Sequence, residues 1–107
     1  MNKINIKPIS VNEAFKGRRF KTEKYNSFEQ EFILKLPNLS IGIPPYKLIL
    51  EMGLSSKGSD LDNTIKQTQD CLSKKYGFND NQIYEIQAVK FIVQKGDEYI
   101  KFDIIEL

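Results

Sequence analysis

Alternation of apolar and polar positions is clearest in YKLILEMGL, where Tyr46, Leu48, Leu50, Met52 and Leu54 share one face, and it predicts a strand. The opening INIKPI alternates in the same way and predicts a strand ending near Pro8. From Ser10 to Tyr25 no period lasts, and a loop or short hairpin is expected. A helix should follow, with Tyr25, Phe28, Phe32 and Leu36 on one face and Pro37 as its stop. Its start is open between two capping boxes, Asn26 with Glu29 and Ser27 with Gln30. NLSIGIPP reads as a connection with room for brief pairing. From Leu61 to Tyr76 the period is helical again, and Gly77 is placed to end it as a left-handed C-cap. QIYEIQAVKFIVQ is apolar on both faces, the pattern of an interior strand covered on both sides. Lys95, Gly96 and Asp97 make a turn, and YIKFDII alternates with Ile100, Phe102 and Ile104 inward. The expected architecture is α+β: residues 1–107 as a single small domain, a mixed β-sheet with two helices in the order β-loop-α-β-α-β-β.

Composition narrows the chemistry. The 107 residues include 16 Lys+Arg, 14 Asp+Glu, one Cys and no His or Trp. Without histidine there is no imidazole base, no Ser-His or Cys-His nucleophile and no His-containing zinc site. One cysteine makes neither an internal disulfide nor a Cys-rich metal cage. Carboxylates, lysines, hydroxyls and amides remain, and they suit a hard, oxygen-ligated cation. No apolar run approaches the roughly 20 residues of a membrane span, and the start lacks a signal peptide's apolar stretch. A cytoplasmic protein is expected, with no membrane partner and no small organic cofactor. Residues 1–50 hold 9 basic and 4 acidic side chains, and residues 51–107 hold 7 and 10. A basic front beside an acidic back suits a metal enzyme that handles a polyanion, and in so short a chain it is also within composition noise.

The informative window is SDLDNTIKQTQDCLSKKYGFNDNQ, residues 59–82. On a helical wheel Leu61, Ile65, Thr68 and Leu72 fall within about 60° of one another, a narrow buried stripe. Asp62, Lys66 and Asp70 follow at steps of about 40°, a polar stripe along its edge whose members can contact one another and a shared ligand. A helical Asp60 would lie about 200° from Asp62. If the helix begins at about Leu61, Asp60 has extended dihedrals and its carboxylate can swing toward Asp62 to form a two-carboxylate cation site. Asp80, after the Gly77 stop, can supply a third carboxylate. The residues also have plainer readings. Acids at a helix start are favoured by the dipole alone, Lys66 and Asp70 can be a solvated ion pair, and Asp80 can be a turn residue.

DLDNTIKQTQDCL followed by GFNDNQ resembles the RusA family of Holliday-junction resolvases. The family pattern is Asp-x-Asp-Asn, Lys four residues after the second Asp, Asp-x-Leu, and later an Asp pair before a Gln. Upstream, Pro8, Ser10, Val11 and Asn12 resemble the family's Pro-x-Ser-Val-Asn. The resemblance implies that Asp60, Asp62 and Asp80 hold a divalent cation, Mg²⁺ with Mn²⁺ able to substitute. It makes Lys66 the essential side chain that is not a ligand, with Asp70 and Asn63 in support. It departs at Asn79, where the family usually has the first of two acids. If the second acid is the ligand, Asp80 serves; a register slip of one would cost a ligand. The implied activity is paired, symmetric nicking of a four-way DNA junction to leave 5′-phosphates, in recombination, repair or phage DNA processing. In such a site the cation binds a phosphate oxygen and activates a water, and Lys66 stabilises charge on the transition state or positions the water.

Two cuts in one junction call for two sites, and one chain of this length offers one, so a two-fold homodimer is expected. The strand at 46–54 and the N-terminal loop are candidate dimer surfaces. Five of the nine residues from Lys16 to Lys24 are basic. Lys16, Arg18, Arg19, Lys21 and Lys24, with Phe15 and Phe20 interleaved and Asn12 just upstream, are the candidate DNA contacts; the alternative is a solubilising loop with both Phe rings in the core. Cys71 is expected to be packed and inert. Other readings are a branched-DNA-binding protein that keeps the fold without cutting, a nuclease for another branched or flapped DNA, and a structural protein with coincidental spacing.

Overall fold

A computed structural model describes residues 1–17 and 20–107. Among the described residues three helices lie on one face of a four-stranded mixed sheet, with a two-stranded hairpin at their side. The elements run β1 (Asn2–Ile4), α1 (Val11–Ala14), β2 (Phe15–Lys16), β3 (Phe20–Lys21), α2 (Glu23–Lys35), β4 (Tyr46–Leu54), α3 (Asp62–Tyr76), a single 3-10 turn (Asp80–Gln82), β5 (Ile83–Ile92) and β6 (Tyr99–Glu106). The sheet order is β1-β6-β4-β5. β6 is antiparallel to both β1 and β4, and β4 runs parallel to β5 through the α3 crossover. The α+β class and the mixed sheet are those expected from the sequence. The expected pair of helices becomes three because one turn forms at Val11–Ala14.

The core is built by the periods that predicted it. Tyr46, Leu48, Leu50, Met52 and Leu54 of β4 are buried against Tyr25, Phe28 and Phe32 of α2, Cys71 and Leu72 of α3, and Ile100 and Phe102 of β6. Gly53 lies on the opposite face, where a Cβ would run into the Tyr99 ring. That ring carries the Lys3 and Lys101 ammonium groups 4.7 and 5.5 Å from its centroid, and its hydroxyl donates to Glu51 at 2.6 Å.

Several expectations are corrected. The segment after Ser10 opens with a helical turn, because Ser10 and Glu13 form a reciprocal capping box, before the β2–β3 hairpin. Helix α2 begins earlier than either proposed box: the Thr22 hydroxyl accepts from the Tyr25 N–H at 3.1 Å and donates to the Glu13 carbonyl at 2.6 Å. The 37–45 connection contains no strand. The buried face of α3 is broader than the predicted stripe: Thr64, Gln67, Thr68, Gln69, Cys71 and Leu72 are buried, while Leu61 and Ile65 are only partly covered. Its polar groups are accommodated by backbone acceptors, Thr64 donating to Leu61 O (2.7 Å) and Thr68 to Thr64 O (2.9 Å). Strand β5 is the sheet edge rather than an interior strand, pairing with β4 alone and leaving most of its residues exposed. β4 lies between β6 and β5, so its backbone cannot form a dimer surface. Among the described residues no helix is long and apolar enough to cross a membrane.

Candidate active site

Helix α3 organises the site. Asp62 is its first residue, Leu61, with helical dihedrals, stands just before it, and Asp60 lies one residue further out. Gly77 closes the other end in the left-handed conformation at φ 75°, its N–H donating to Ser73 O at 2.8 Å. That turn sends the chain back along α3 to the 3-10 turn. There Asn79 takes the N-cap position, its backbone N–H donating to Gln82 Oε1 at 3.0 Å and its carbonyl accepting from the Gln82 N–H at 2.9 Å. The next residue, Asp80, faces the helix.

Two members of the predicted polar stripe, Lys66 and Asp70, meet along α3. Lys66 Nζ donates to Asp70 Oδ1 at 2.9 Å and to Asp80 Oδ2 at 3.1 Å, so one ammonium joins two carboxylates, from the same helix and from the returning turn. Burial pushes the Asp70 carboxyl above its ordinary value; Lys66 pulls it down, and Asp80 pushes it up again. The Lys66 ammonium is held above the ordinary lysine value, first by its Asp70 hydrogen bond and then by Asp80, against the effect of burial. Asp60 turns to the other side of the stripe, its Oδ2 accepting from Asn63 Nδ2 at 3.4 Å. The Asp62 side chain makes no ion pair among the described residues.

Beside this edge of the helix is a cavity of about 300 Å³ whose lining includes Ser10, Asn12, Ser55, Asp60, Asn63 and Glu98. The two sequence blocks around Asn12 and around Asp60 thus meet on one wall. What joins them is Gln67, which was not singled out from the sequence. Fully buried, it donates through Nε2 to Ile9 O at 2.9 Å and to Asn63 O at 2.6 Å, while its Oε1 has no partner among the described residues. Its one sequence signal is a place on the helix next to Cys71, away from the charged stripe.

A hard divalent cation suits this donor set in kind, since Asp60, Asp62 and Asp80 are all oxygen donors with exposed side chains. They do not converge here: among the described residues no three acids share a point within ligating reach. Asp80 is engaged by Lys66, so a cation taking Asp80 would share or displace that ammonium.

The predicted DNA-contact residues divide. Lys21 is paired to Glu29 at 3.2 Å and lies over the Tyr25 ring at 5.0 Å, and Lys24 is paired to Glu13 at 2.8 Å. Lys16 is exposed with no ion pair among the described residues, and Asn12 is exposed at the cavity. Arg18 and Arg19 lie outside the described residues. Phe15 packs edge-on against Tyr25 at 5.3 Å, whereas Phe20 is exposed. Cys71 is buried, and burial pushes its thiol up to about 12.

Residues 47–102, just over half of the chain, match the family model of the endodeoxyribonuclease RusA. The match takes in every residue from Asp60 to Asp80 and leaves out the block from Pro8 to Asn12. No curated protein matches the chain. The chain belongs to the RusA endodeoxyribonuclease family.

Proposed function

We propose that residues 1–107 act as one endonuclease domain that resolves four-way DNA junctions with a divalent cation, Mg²⁺ or Mn²⁺, as a cytoplasmic homodimer. The observation that carries this reading is Lys66 suspended between Asp70 and Asp80 inside the segment that matches the family. Asp60, Asp62 and Asp80 are the residues to hold the cation, which when bound supplies Lewis acidity at a phosphate oxygen and an activated water.

The remaining work falls to the chain's own groups. Lys66 is the cation that the fold supplies itself. Held by Asp70, it stays charged at neutral pH and can turn from Asp80 to a phosphate oxygen, stabilising the charge that develops as the phosphodiester is cut. Asp70 acts through Lys66 by fixing its direction. Asn63 orients Asp60 by its hydrogen bond. Asn12, Lys16, Arg18, Arg19, Lys21 and Lys24 supply contacts to the DNA arms, Lys16 and Asn12 being exposed and Lys21 and Lys24 requiring exchange of a carboxylate for a phosphate.

One observation favours a second reading, a branched-DNA-binding protein without cleavage: the three proposed ligand acids do not converge. The deciding experiment is cleavage of an end-labelled four-way junction against linear duplex, with Mg²⁺ or chelator, for wild type and Asp62→Asn. Symmetric paired nicks that require metal and vanish in the variant are expected. Junction binding that ignores chelator, with no nicking, would establish the second reading instead.

A further inference from the structure

The two edges of the sheet are unlike. One is β1, three residues long, the short kind of edge that resists pairing with another chain. The other is β5, ten residues long, paired to β4 on one side only. On β5 Tyr84, Ile86, Val89, Phe91 and Ile92 are 72, 45, 42, 53 and 45% exposed. From the register with β4, Ile86 and Ile92 lie on the helix side, level with Leu48 and Leu54. Val89 and Phe91 lie on the opposite side, level with Glu51 and Gly53. Both faces of one exposed edge are therefore apolar.

The usual guards of such an edge are few and lie at its start, a register shift at Tyr84 and the acid Glu85, paired to Lys47 at 3.1 Å. β5 has no proline. Its one lysine, Lys90, is bent back, donating to Ser59 O at 2.7 Å and Lys57 O at 3.3 Å rather than projecting past the edge. A strand apolar on both faces is the signature of the middle of a sheet, and in the single chain β5 is not there.

We infer that β5 pairs with β5 of a second copy of this chain, antiparallel across a two-fold axis perpendicular to the sheet, so that two four-stranded sheets become one of eight strands. This rests on the homodimer reading above and names its surface. A two-fold is the arrangement in which one edge can serve as its own partner, and it converts β5 into the interior strand its sequence describes. The five side chains expose roughly 500 Å² per chain and about 1,000 Å² for the pair, an upper bound on what pairing covers and of the order a specific interface needs. Backbone pairing along the strand adds to this. Because the axis is perpendicular to the sheet, the helices of both copies stay on one face. The two α3 starts then lie on that face at symmetry-related positions, as paired cuts in a four-way junction require.

The test is molar mass in solution by light scattering or sedimentation, for wild type, Val89→Lys/Phe91→Lys and the control Phe20→Ser, with far-UV circular dichroism to check each fold. The expected result is a dimer for wild type and Phe20→Ser, and a folded monomer for the β5 variant, with at least a hundredfold weaker association. A β5 variant that remains a dimer overturns this surface and leaves the homodimer reading standing. A monomeric wild type overturns the homodimer and this surface with it. If the charged variant does not fold, single cysteines at positions 87, 88 and 89 decide. The position nearest the axis should cross-link to its own copy under mild oxidation, the native Cys71 being buried. No cross-link at any of the three would overturn the proposal.

Discussion

Lys66 does two jobs that a single substitution can separate. It neutralises two carboxylates that would otherwise face each other, and in the proposed reaction it meets the phosphate. Lys66→Met is expected to cost about a hundredfold or more in junction cleavage, the scale of losing one charged donor at a reacting phosphate. Lys66→Arg should not restore it, because a planar fork does not reproduce a point charge set between two acids. The stability cost at pH 7 should be within about 1 kcal/mol, since the lysine is largely exposed and its ion pairs are screened. That cost should also have a sign in pH. Without Lys66 the Asp70 carboxyl, already raised by burial and by Asp80, titrates higher still. The folded state then takes up a proton that the unfolded state does not, so the variant gains stability relative to wild type as pH falls from 7 toward 5. Urea unfolding at the two pH values checks this; an unchanged or widening gap at the lower pH would count against the bridge.

Elements with one dominant period were legible from the sequence. Strand β4 has the predicted bounds, and α3 differs by a single residue at its start, with its glycine stop where expected. The stripe Asp62, Lys66 and Asp70 followed from helical spacing, and Lys66 does reach Asp70. Shorter elements were not legible by period, since four residues of α1 make barely one turn. Its Ser10 and Glu13 signal was present and is a local hydrogen-bonding rule rather than a periodic one. Gln67 was hidden because a buried glutamine is recognised by its acceptors, and one of those, Ile9 O, lies 58 residues away. Strand β5 was misplaced for a different reason: apolar residues on two faces say that something covers them, not that the same chain does. The early start of α2 gives a test at this scale. Thr22→Ala removes both the cap on Tyr25 N and the donor to Glu13 O, tying α2 to α1. A loss of about 1–2 kcal/mol is expected in denaturant unfolding, whereas Asn26→Ala and Ser27→Ala should be close to neutral.

Across the molecule, ion pairs tie the layers together and set the response to acid. Glu29 of α2 accepts from Lys21 of β3 at 3.2 Å and from Lys74 of α3 at 2.6 Å. Burial tends to raise its carboxyl, but the two lysines outweigh that and it is held below the ordinary 4.5. Glu13 is lowered chiefly by its hydrogen bond from Lys24, and Glu51 chiefly by the Tyr99 hydroxyl. A carboxyl depressed in the folded state stabilises the fold above its unfolded value, and that contribution is lost as pH falls through the folded value. Asp70 acts in the opposite sense, one raised group against these three lowered ones. The melting temperature should therefore be level from neutral pH to about 5 and should decline below about 4.5, less steeply in high salt. A melting temperature that holds to about pH 3 would mean that these pairs carry no net stability.

The Gln67 amide has a consequence for motion. Both of its N–H groups are spent on backbone carbonyls of separate segments, one leading into the capped turn at Ser10 and the other in the first turn of α3. Neither segment can swing outward without stripping a buried donor, and the oxygen on the same side chain, itself an acceptor, offers the carbonyls no substitute bond. The stretch carrying Asn12 and the stretch carrying Asp62 and Asn63 are thus riveted at one point.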